Sequence, residues 1–142
     1  MVATAGTQLD VMAVADRLRP TLLQLARELR REKIAGVSPH QVGLMVAIKY
    51  APGVTVGELA AEERVSRLER DGLVARTQSE SDRRCVGLTL TDEGQRTLRR
   101  VRSRRTAWLA SRLDTLSPAE LTAVGAAVDA LGHLLADEEG RR

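Results

Sequence analysis

Aromatic residues are almost missing from this chain. Of 142 residues only Trp108 and Tyr50 carry aromatic rings, and there is no Phe. The core must therefore be built from Leu, Val, Ile and Ala, a set that suits helices better than the aromatic and β-branched surfaces of sandwiches and barrels. Cysteine is as scarce: Cys85 stands alone, which excludes an internal disulfide framework and a cysteine-rich zinc site. No uncharged apolar run approaches the ~18 residues of a bilayer span. The opening residues lack the charged and apolar regions of a secretory leader. These absences point to a bacterial cytoplasm and give no sign of a membrane partner. Catalytic patterns are missing too. His40 and His133 lie far apart, and no metal-binding, phosphate-loop or nucleophile-elbow motif occurs. The expectation is a protein that is not an enzyme and needs no cofactor or metal.

What is present is charge and helical periodicity. Charged residues make up 29% and hydrophobic ones 43%, the balance of a folded globular chain long enough for one domain. The formal net charge is +3. Of the cations only Lys33 and Lys49 are lysines, and the rest are arginines, whose planar forks suit phosphates and guanine edges.

Along the chain, Val11, Val14, Leu18, Leu22, Leu25 and Leu29 recur at three- and four-residue spacing, predicting a helix from about Asp10 to Glu32. Pro20 is expected to kink that helix or limit its first turns. Ser38-Pro39-His40-Gln41 and Ser117-Pro118-Ala119-Glu120 each combine a cap, a first-turn proline and a capping-box partner. Thr55-Val56-Gly57-Glu58 has the same capping-box spacing. After Gly72 the period shortens. Residues 73–77 and 85–90 read as two strands around a polar tip, and Thr91 opens a long helix to about Leu113. The last helix carries Leu121, Val124, Val128, Leu131 and Leu135. The order is three helices, a hairpin and two helices, the layout of a winged helix. Two terminal apolar stripes with no further layer to cover them call for a homodimer.

Leu68-Glu69-Arg70-Asp71-Gly72-Leu73-Val74 resembles the exit from the recognition helix in regulators of the MarR (multiple antibiotic resistance regulator) family. Asp82-Arg83-Arg84, followed at fixed distance by Leu90-Thr91-Asp92-Glu93-Gly94, resembles that family's wing and its L-T-x-x-G motif. The resemblance implies a mainly α, winged helix-turn-helix fold over residues 1–142. Dimerisation helices would occupy about 10–35 and 112–138, the DNA-binding part about 38–94, and a long connecting helix about 91–113. It implies a DNA-binding transcriptional regulator, usually a repressor, acting as a homodimer on a pseudo-palindromic duplex and answering to a small anionic or phenolic effector.

Wing arginines meet phosphates and the minor groove in this architecture. Arg83 and Arg84 are the candidates, with Arg76 at the base of the first strand and Asp82 orienting Arg84. Ser66, Arg67 and Arg70 are the candidates near the recognition helix. Cys85 reads as a small apolar residue of the second strand, and His40 as a surface residue at a helix start. Arg96, Arg99, Arg100, Arg102, Arg104 and Arg105 crowd the long helix, as a solvated face, a phosphate-facing surface, an anionic effector site or, for some of them, partners of glutamates on the other subunit.

One interval departs from the pattern. Between Thr55 and Gly72 lie too few residues for two helices of about eight and their turn, which need roughly twenty. The family has about nine more here, so the turn and the front of the recognition helix, the part that reads bases, are expected to be missing. The reading preferred from sequence is a segment absent near Val65–Arg67. The alternative is a true deletion that fuses the remnants into one helix, since Ala61, Val65 and Leu68 keep helical spacing. In that case the protein would be a dimeric sensor or adaptor without sequence-specific DNA reading.

Overall fold

The computed structural model describes residues 9–31, 34, 36–78 and 86–139, with backbone only at 137–139. Its helices are α1 (Val11–Arg30), α2 (Pro39–Tyr50), α3 (Val56–Leu59), α4 (Glu62–Arg70), α5 (Asp92–Leu113) and α6 (Pro118–Glu139), with strands β1 (Val74–Gln78) and β2 (Val86–Leu90) between α4 and α5. This is the mainly helical, two-stranded winged-helix class expected from the sequence, but with four helices before the hairpin where three were expected. The chain divides into two compact units, Met1–Arg104 and Arg105–Arg142.

In the first unit, local chemistry sets the helix starts. Asp10 caps α1 by accepting the Met12 N–H at 3.0 Å. Ser38 and Gln41 close a reciprocal capping box on α2, which also buries Gln41 without leaving it unpaired. Pro20 neither ends α1 nor confines it to its first turns, because the helix continues for ten residues beyond it. Thr21 donates its hydroxyl to the Arg17 carbonyl at 3.0 Å in the adjoining turn. α1 buries none of its residues, and Val11, Met12, Val14, Leu22, Leu23 and Leu25 are all exposed.

The core of this unit joins Val42, Met45 and Ile48 of α2, Val65 and Leu68 of α4, Leu88 of β2, and Leu98 and Val101 of α5. β1 and β2 pair antiparallel from Val74↔Leu90 to Gln78↔Val86. The loop before α3 lies along β2, with the Gly53 N–H donating to Leu88 O and the Leu88 N–H to Val54 O. That approach demands a glycine at position 87, while Gly53 opposite it adopts a positive φ of 87°. A Cβ on Gly87 would sit 2.8 Å from the Gly53 Cα.

The L-T-x-x-G motif joins strand to helix. Thr91 accepts the Gly94 N–H at 3.0 Å, capping α5, and donates its own hydroxyl to Gly72 O at 2.6 Å. Its backbone N–H reaches Leu73 O, and a Cβ on Gly94 would collide with that same carbonyl oxygen. The motif is thus a structural lock between the exit of α4 and the start of α5.

In the second unit, Ser117 and Glu120 form the capping box that starts α6. Leu121, Val124, Val128, Leu134 and Leu135 are exposed along it. By length and composition its stretch Pro118–Ala136 could cross a membrane, at a mean hydropathy of 1.3, but Glu120 and Asp129 lie within it.

Candidate nucleic-acid interface

The interval that looked too short for a helix-turn-helix holds one in reduced form. Thr55 caps α3 by accepting the Glu58 N–H. After a single turn the chain breaks at Ala60, a non-glycine residue in the left-handed region at φ 50 and ψ 38. α4 starts two residues later and runs unbroken through Val65, Ser66 and Arg67. The structure therefore corrects two expectations: a turn is present, and the remnants are not fused into one helix.

Helix geometry explains the break. Val56 and Val65 are nine residues apart, as are Leu59 and Leu68, and nine residues are two and a half helical turns. A continuous helix would aim these two pairs in opposite directions. Breaking at Ala60 lets Val65 and Leu68 become fully buried while Val56 and Leu59 pack against the same core. An L-residue in this conformation costs on the order of 1 kcal/mol, less than burying even one of those side chains returns.

With Val65 and Leu68 inward, α4 turns Arg67 and Arg70 to solvent, with Ser66 half-buried beside them. Three of the sequence candidates thus share the outer side of one helix. Arg67 lies 4.0 Å from Glu63, a loose and solvent-exposed pair that leaves its guanidinium available. Nine residues make α4 about 13 Å long, enough to cross a major groove of ~12 Å. Its first turn carries Glu62 and Glu63, exposed carboxylates that favour the positive helix end and that sequence reasoning did not single out. Arg64, also exposed, was missed as well; its place one residue before Val65 in the buried stripe was the available signal.

Arg76, a candidate at the strand base, is ion-paired: its Nε donates to Glu69 Oε2 at 2.6 Å, joining the end of α4 to β1. Asp82, Arg83, Arg84 and Cys85 lie outside the described residues.

On α5, Glu93 accepts from Arg96 through Nε and Nη2 and from Arg100 through Nη2 at 2.9 Å. The Arg96 hydrogen bonds, with the charges of both arginines, hold the Glu93 carboxyl below its ordinary range. Among the described residues no cluster of His, Cys, Asp or Glu is placed to hold a metal ion.

The chain is similar to known regulators in sequence and in fold. The chain is 30% identical over 123 aligned positions to the HTH-type transcriptional repressor MdtR of Bacillus subtilis, covering 80% of this chain and 76% of that protein. It belongs to the MarR family of helix-turn-helix transcriptional regulators. A MarR family protein from Bacillus stearothermophilus superposes with a TM-score of 0.62 at 25% identity, over 89% of this chain and 95% of that one. Streptococcus pneumoniae FabT, solved in complex with DNA, gives 0.55 at 26%, over 90% and 99%. PcaV of Streptomyces coelicolor, solved with its natural ligand, gives 0.52 at 26%, over 94% and 98%. No protein-family model matches the sequence. Since 80% of 142 residues is about 114, about nine of the 123 aligned positions face a gap in this chain.

Proposed function

We propose that this MarR-family, DNA-binding regulator acts as a homodimeric, ligand-responsive repressor in the cytoplasm. It would place α4 of each subunit in successive major grooves of a pseudo-palindromic operator, half-sites about 10 bp apart. The observation that carries this reading is the outer side of α4, where Arg67 and Arg70 are exposed and Ser66 lies beside them on a helix fixed by two fully buried side chains and the Glu69–Arg76 bond. Arg67 and Arg70 would meet guanine edges or phosphates, Arg83 and Arg84 the backbone beside the wing, and Asp82 would orient Arg84. Arg76 would act by positioning, because its charge is already matched by Glu69.

Two features support the dimer. α1 buries none of its residues, and α6 exposes a leucine and valine stripe; each is an apolar helix face that a second copy can cover. Helix α6 is read as part of that interface and not as a membrane span, since its carboxylates Glu120 and Asp129 would be costly in lipid. The relatives named as repressor and regulators favour this reading over a sensor or adaptor without DNA recognition.

The test is fluorescence anisotropy on duplex DNA across a salt series. Replacing Arg67 and Arg70 together by Ala should weaken binding to the preferred sequence at least about tenfold and narrow the gap to random DNA. Arg84→Ala should weaken binding to all sequences and flatten the salt slope. An Arg67/Arg70 variant that binds and discriminates like the parent would overturn the placement of α4.

A further inference from the structure

The first half of α5 carries an arginine cleft of about 670 Å3, lined by Glu93, Arg96, Arg99, Arg100, Ser103 and Arg104. We propose that this cleft binds a compact polyanion bearing two or more phosphate or carboxylate groups. The inference rests on the ligand-responsive reading above and narrows the anionic or phenolic effector class expected from the sequence.

Four guanidinium groups face one carboxylate in this lining. Arg96, Arg100 and Arg104 repeat every four residues, about 6 Å along the helix axis. Such like-charged i,i+4 pairs destabilise a helix unless something neutralises them. Glu93 does so only in part. It takes two hydrogen bonds from Arg96 and one from Arg100, and a second Arg100 contact runs to Thr97 Oγ1 at 3.4 Å. Arg99, Ser103 and Arg104 take part in no ion pair or side-chain hydrogen bond among the described residues. Two guanidinium groups are therefore held in place by Glu93, while Arg99 beside them and Ser103 and Arg104 one turn further along remain as donors.

The arrangement suits an anion with separated acidic groups. Guanidinium forks grip phosphate and carboxylate bidentately, and a diphosphate or dicarboxylate can engage adjacent turns of the arginine ladder at once. A single phenol suits it poorly, because it can engage only one fork of the arginine ladder.

Titration calorimetry of the full chain with inorganic pyrophosphate, and separately with citrate, tests this without DNA, at ionic strength held constant with sodium chloride. Saturable binding of either anion at one per chain is expected, and the one preferred identifies the acidic group. Replacing Arg100 and Arg104 by Ala should weaken it at least about tenfold. Replacing both by Lys, which keeps charge but removes the forks, should give an intermediate loss. Glu93→Gln should tighten binding, and Arg19→Ala on α1 should leave it unchanged. Thermal melts of each variant confirm folding. No saturable heat from either anion would overturn the site. So would equal weakening by Arg19→Ala, or a double-lysine variant binding like the parent, since either means diffuse charge attraction. Because DNA is absent, failure here leaves the operator-binding reading standing, and failure of that reading leaves this one standing.

Discussion

The winged-helix core and the two terminal helices handle the same few apolar residue types in opposite ways. In the core, Met45, Ile48, Val65, Leu68 and Leu88 are closed off from solvent almost completely. In α1 and α6, leucines and valines of the same kind, from Val11 to Leu135, remain open. The difference teaches that the core elements contain their own partners, whereas the terminal helices leave apolar faces uncovered, as the proposed dimer requires. Aromatic scarcity sharpens the contrast. Aliphatic side chains bury well when they interlock from several directions, and one helix face cannot supply that alone.

The largest effect that would break this comparison lies in the core. Gly94→Ala puts a methyl group against the Leu73 carbonyl oxygen, which backbone cannot easily yield. A loss of about 3 kcal/mol in urea unfolding is expected; an unchanged midpoint would mean that the lock between α4 and α5 is looser than described. Next comes Val128→Glu at the exposed stripe of α6. It should raise the dimer dissociation constant about 100-fold, since symmetry buries the charge twice. Sedimentation should show monomer that keeps its helical circular dichroism, and an undisturbed dimer would move the interface elsewhere.

The two regions also differ in how far they could be read ahead of the structure. The caps at Ser38, Thr55, Thr91 and Ser117 were legible because a cap is local chemistry, decided within four residues. The hairpin and α5 followed from a change of period at Gly72. The break at Ala60 was not foreseen, because its cause is tertiary: Val56 with Leu59 and Val65 with Leu68 must face one core from two helices. The nine-residue offset between those pairs was the available signal, but the matching spacing of Ala61, Val65 and Leu68 suggested fusion instead. Ser66, Arg67 and Arg70 were legible as helix residues, of which Arg67 and Arg70 are exposed and Ser66 is half-buried. Arg76 was not legible as a paired one, since Glu69 reaches it across a turn that brings strand to helix.

A smaller and opposite effect is expected at that turn. Ala60→Gly removes the left-handed strain at φ 50 and should stabilise the protein by about 0.5–1 kcal/mol, part of the relief being offset by greater freedom of the unfolded chain. A lower melting temperature would argue against the strained turn.

The smallest effect is with pH. The Arg96 hydrogen bonds lower the Glu93 carboxyl, and the Ser117 backbone N–H lowers that of Glu120. A carboxyl depressed in the folded state contributes fully above the unfolded value of about 4.3, and that contribution disappears as pH falls through the folded value. Stability should therefore be flat from neutral pH to about 5 and decline below about 4.3. Glu93→Gln and Glu120→Gln should each make the decline shallower; a slope unchanged in both would remove these carboxyls from the account.

The central claim, that a helix-turn-helix shortened by about nine residues still reads DNA as a dimer, is tested most directly by selection from a random-sequence duplex library. The account predicts enrichment of two-fold symmetric sites with half-sites about 10 bp apart. Pools that stay random through successive rounds, with binding that only tracks salt, would contradict it.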